Sequence, residues 1–106
     1  MSIPNLFIVV FSCSGSMKIY HYDRSKPPPF SDLKISTLHS KAKGYKNLTR
    51  KLLKRNRFVL KMDVEGTCCW QVYSNIYFAG EKQDLDVGFK GEPYLPIKSA
   101  KSLNCK

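Results

Sequence analysis

A chain of 106 residues is long enough for one domain with its own core, and its mixture of apolar and charged side chains excludes a disordered polymer. Eighteen Lys and Arg against eight Asp and Glu leave a net charge of +10, which argues against cationic partners and for an anion-rich surface. Nucleic acid, glycosaminoglycan and anionic membrane all qualify, and a charge that serves only solubility is the competing reading.

Met1 to Ser16 contains no charged side chain. The short apolar run Leu6 to Phe11 is followed by the small residues Ser12, Ser14, Gly15 and Ser16. Residues 1–16 therefore read as a signal peptide cut near Gly15 or Ser16, which makes the protein secreted and extracellular. No Lys or Arg precedes the run, so a buried first strand is the alternative. No stretch is long enough to cross a membrane as a helix.

Residues 17–106 form a single domain. Lys18 to Asp23 alternates apolar and polar and predicts the first strand. Pro27-Pro28-Pro29 interrupts pairing because proline donates no backbone hydrogen bond. Phe30 is placed to fold back after that turn, and Leu33 to Leu38 predicts the next strand. Tyr45, Leu48, Leu52 and Leu53 fall near helical spacing, which predicts a short helical turn in a long basic loop over 41–57. Asn56 to Val64 predicts a strand, and Glu65-Gly66-Thr67 a turn between halves spanning about 17–65 and 66–106.

The second half is clearer. Trp70 and Val72 alternate with Gln71 and Tyr73, the pattern of a strand with one buried face, and Glu81 to Leu85 predicts another. The core is expected to contain Trp70, Val72, Phe78 and Ile97. Phe78 follows Tyr73 by five residues, Gly80 follows it by seven, and Ser99 lies in the last strand. This set resembles the Greek-key signature of the βγ-crystallin family. The resemblance implies an all-β, two-sheet Greek-key sandwich of two βγ-crystallin-like motifs, each lending a strand to the opposite sheet. It also implies that the aromatic strand end folds over through a hairpin, that Gly80 takes a conformation a side chain opposes, and that Ser99 ties the hairpin down. The family's calcium sites use paired Asn or Asp shortly before that serine. Tyr94 and Leu95 stand there instead, and the first half offers only Asn56 among cations, so no metal and no cofactor is expected.

Four cysteines occur, at 13, 68, 69 and 105, and cleavage near Gly15 would leave three. Neighbours on a strand face opposite sides, so only one of Cys68 and Cys69 can readily meet Cys105. Cys68 shares parity with Trp70 and Val72 and reads as a core thiol. That favours Cys69 for Cys105, with the third cysteine buried and inert or joining two chains. A Cys69–Cys105 bridge would contribute about 3–4 kcal/mol through loop closure. A cytosolic chain with reduced thiols is the other possibility.

No acidic residue lies between Asp32 and Asp63, whereas ten Lys and Arg do. Lys46, Arg50, Lys51, Lys54, Arg55 and Arg57 are the candidate polyanion-binding residues. A cationic stripe suits sulfate or phosphate, and Leu48, Leu52 and Leu53 could insert into anionic lipid beneath it. A solvated basic loop is the alternative. Asn47-Leu48-Thr49 is a glycosylation sequon, and a glycan on Asn47 would crowd the run. His21 and His39 are the only histidines and neither adjoins a nucleophile in a known motif, so no enzyme and no small-molecule substrate is expected. Secretion argues against nucleic acid. The expected protein is a secreted, basic, non-enzymatic binder of glycosaminoglycan or anionic membrane, host-defence or toxin-like. A structural or extracellular-matrix protein, or a protease inhibitor presenting the Pro27–Pro29 loop, is the alternative.

Overall fold

A computed structural model describes residues 13–28, 30–50, 52–54 and 56–105. The apolar run Leu6 to Phe11 lies outside them, as do Pro29, Lys51 and Arg55. The described chain is all β. Its strands are β1 (Gly15–Asp23), β2 (Lys34–His39), β3 (Arg57–Gly66), β4 (Cys68–Tyr73), β5 (Lys82–Leu85), β6 (Lys90–Gly91) and β7 (Ser99–Asn104).

Two antiparallel sheets result, ordered β2-β1-β3-β6 and β5-β4-β7. The first sheet is built from the first half except for β6, which pairs Met62 with Gly91 and Asp63 with Lys90. Conversely, Tyr45 bridges Ala100 on β7 through reciprocal backbone bonds of 2.7 and 3.0 Å. Each half thus sets a piece of backbone against the other half's sheet.

Period-2 alternation fills the space between the sheets. Met17 and Ile19 of β1, Met62 and Val64 of β3, and Trp70 and Val72 of β4 are buried there, with Leu85, Ile97 and Ala100. Phe78 is only half-buried, against the expectation that it joins the core. It lies beside the Tyr73 ring at 5.7 Å, and the Lys101 ammonium is 5.3 Å from its ring centre.

The expected helical turn is absent. Leu48 and Leu53 are both buried, but they reach the core as the two ends of a turn in which the Leu53 N–H donates to the Leu48 carbonyl at 2.7 Å. Other backbone groups of the segment bond outward: the Leu48 N–H goes to Lys98, and Tyr45 to Ala100. Anchoring to the second half replaces the i→i−4 ladder that a helix requires. Gly44, at φ +68°, enters this loop where a Cβ would press on Lys101 and Phe78.

All four cysteines are bridged, Cys13 to Cys68 and Cys69 to Cys105. The expected spare thiol at Cys68 is corrected. Its side chain faces the interior, as parity required, but there it meets Cys13, just before β1. A cut at Gly15 or Ser16 would remove Cys13 and open β1, because Gly15 pairs with Gly66 and its N–H donates to the Ser40 hydroxyl oxygen.

Candidate functional site

The hairpin after β4 is held in a conformation that side chains resist. Tyr77 and Phe78 have φ of 57° and 58°, and Gly80 has φ of 82°, where a Cβ would run into the Ser74 hydroxyl. Two non-glycine residues in the left-handed region cost about 1–2 kcal/mol each. Hydrogen bonds offset this. The Ser99 hydroxyl, fully buried, donates to the Asn75 carbonyl at 2.6 Å and accepts the Phe78 N–H at 3.0 Å. Tyr77 N–H donates to the Lys46 carbonyl at 2.7 Å, so the basic segment is fastened to this hairpin. In the first half Phe30 also has a positive φ, 64°, and packs edge-on to Tyr22 at 4.8 Å.

Of the predicted polyanion-binding residues, Lys46, Arg50 and Lys54 are exposed, while Lys51 and Arg55 lie outside the described residues. Among the described residues there are two ion pairs, Lys18–Glu65 and Arg57–Asp32, so Lys46, Arg50 and Lys54 have no carboxylate neutralising them there. Leu48 and Leu53 are buried in the core and so are not presented at the surface beneath the cations, and Leu52 is half-buried against the core. The Asn47 side-chain oxygen accepts the Thr49 N–H at 3.0 Å, a local turn inside the sequon.

Arg57 differs from the rest of the run. Its side chain is 13 % exposed and donates to Asp32 Oδ2 at 2.7 Å, to His21 Nδ1 at 2.8 Å and to the His21 carbonyl at 3.1 Å. Because Nδ1 accepts from Arg57, the neutral imidazole carries its proton on Nε2 and donates it to Ser36 Oγ at 2.8 Å. A serine nucleophile needs the opposite arrangement, with the imidazole accepting the hydroxyl proton. Sequence reasoning missed this cluster because its members are spread from residue 21 to residue 57 and form no local motif.

Burial holds the His21 pKa below its usual 6.5, and the nearby positive charges of Arg57 and Lys34 act the same way against the opposing influence of Asp32. The folded state therefore resists a proton that the unfolded chain accepts. Stability is fully present above pH 6.5 and falls as pH drops through 6.5 toward the lowered folded value. Asp32, held low by the Asp23 N–H and Arg57, and Asp23, held low by Ser25, extend the loss below pH 3.8. Thermal midpoints between pH 7 and pH 5 are expected to decline, and to decline less in His21→Gln. Equal slopes would remove His21 from the network's energetics.

No group of three or more His, Cys, Asp or Glu among the described residues is arranged to hold a metal ion, and no described helix could cross a membrane. No protein family, curated protein or solved structure matches the chain.

Proposed function

We propose that the protein is a secreted, non-enzymatic β-sandwich of the βγ-crystallin kind that engages polyanionic surfaces, in a host-defence or toxin-like role. The unneutralised cations Lys46, Arg50 and Lys54, on a loop whose start is fastened to the second half through Tyr45, Lys46 and Leu48, carry this reading. The backbone exchange between halves and the hairpin tied by Ser99 support the Greek-key part. Two disulfides fit an oxidising compartment. Secretion is proposed with one change: a cut that keeps the Cys13–Cys68 bridge falls at or before Ser12. The proton placement on His21 supports the non-enzymatic reading.

Immobilised heparin tests it. Wild type is expected to be retained and to elute as salt rises, since the screening length shrinks from about 10 Å at 0.1 M to about 3 Å at 1 M. Replacing Arg50, Lys51, Lys54 and Arg55 by Gln is expected to abolish retention with little change in stability, because charges of one sign in a run repel each other and contribute little to folding. Equal retention of the two proteins would leave the run a solvated loop and favour the structural reading.

A further inference from the structure

Apolar side chains gather at the open end of the first sheet. Phe30, Leu33, Ile35 and Phe58 are 45, 42, 56 and 40 % exposed. Tyr22 joins them, with ring centres 4.8 Å from Phe30 and 6.5 Å from Phe58. Strand register explains the grouping. Tyr20 is paired with Ile35 on one side and Tyr22 with Phe58 on the other, and both tyrosines lie on the sheet face opposite the buried Met17 and Ile19. Leu33 follows one step beyond the His21–Lys34 pair, beside Tyr22. Exposed clusters of this kind are unusual on a soluble monomer and mark contact surfaces.

Cations interleave with the rings. The Arg24 guanidinium lies 4.5 Å over Phe58 and the Lys61 ammonium 4.5 Å over Tyr20. Lys26 shares an open cleft of about 490 Å³ with Tyr22, Arg24 and Phe30. Of the neighbouring carboxylates, Asp32 is committed to Arg57 and Asp23 to the N–H and hydroxyl of Ser25, and Asp63 Oδ2 accepts the Tyr20 hydroxyl at 3.3 Å. The Arg24 N–H donates to the Asn56 carbonyl at 2.9 Å, which brings the end of the basic run to the edge of the patch.

We propose that this face docks onto an anionic lipid bilayer, an inference that rests on the polyanion reading and moves its lipid contact away from the buried leucines. Charge complementarity selects an anionic partner. Leu33 and Ile35 then select lipid, because an aliphatic side chain offers no π-face to a nucleic-acid base and no donor to a sulfate. Headgroup phosphates meet Arg24 and Lys26 while the rings and aliphatic chains enter the acyl boundary.

Flotation of the secreted protein, which retains Cys13, with phosphatidylcholine vesicles, with and without about 30 % phosphatidylserine, tests the proposal. Wild type is expected to float only with the anionic vesicles. Ile35→Thr with Phe58→Thr places a β-branched, strand-favouring residue at both positions and is expected to weaken that binding about tenfold or more, with heparin retention unchanged. Arg24→Gln with Lys26→Gln, in a loop, is expected to weaken it as well, with the thermal midpoint unchanged. Vesicle binding by the Thr variant equal to wild type would overturn the proposal, as would heparin retention without vesicle binding. Vesicle binding without heparin retention would keep the patch and remove the glycosaminoglycan reading. Full displacement by soluble glycerophosphoserine would overturn the bilayer in favour of a headgroup site. A wild-type dimer lost in the Thr variant would assign the face to a second copy of the chain.

Discussion

Replacing Cys13 and Cys68 together by Ala is expected to lower stability by about 4 kcal/mol, read as a shift in the urea midpoint without reductant. The bridge spans 55 residues, so its removal returns a large loop-closure entropy to the unfolded chain. It also joins the start of β1 in one sheet to the start of β4 in the other. Against a total of about 5–15 kcal/mol for a small domain, this loss brings the fold close to its limit. The Cys69–Cys105 bridge spans 36 residues and fastens β4 to the end of β7, strands already paired in one sheet. Its double Ala variant is expected to lose less. Equal losses would mean that the inter-sheet link does not restrain the two sheets beyond its loop.

Trp70→Ala is expected to cost about 3–5 kcal/mol. The indole is fully buried, its ring stacks on Tyr45 at 6.4 Å and 26°, and its backbone pairs with Leu85 and Ser102 on either side. No neighbour could close over the void without moving both sheets. Its Nε1 has no hydrogen-bond partner among the described residues, so Trp70→Phe removes an unpaired donor while keeping most of the ring. That variant is expected to cost less than Trp70→Ala. Far-UV circular dichroism is the suitable probe, since Trp70 is the only tryptophan and its fluorescence disappears with it. A near-neutral Trp70→Ala would place the indole at the surface and contradict the register of β4.

Alternation made the strands legible because it is a local property. Lys18 to Asp23, Leu33 to Leu38, Asn56 to Val64 and Trp70 to Tyr73 lie within a few residues of observed strands. The same alternation separated Cys68 from Cys69 before any partner was known. The leucine spacing in 41–57 failed as a helix signal because apolar residues need only a core to enter. Leu48 and Leu53 reach it through a turn whose backbone partners, Lys98 and Ala100, lie some fifty residues away in sequence.

The sequence by itself determined the all-β class, the positive charge, and which residues of β4 face inward, for each follows from composition or from neighbours along one strand. Only the tertiary structure decided that Cys13 belongs to Cys68, that Arg57 is bound to Asp32 and His21, and that Phe30, Leu33, Ile35 and Phe58 share an exposed face. Those outcomes depend on which strands lie side by side. Register between distant strands is set by the joint burial of both sheets, and no stretch of the chain carries that information alone.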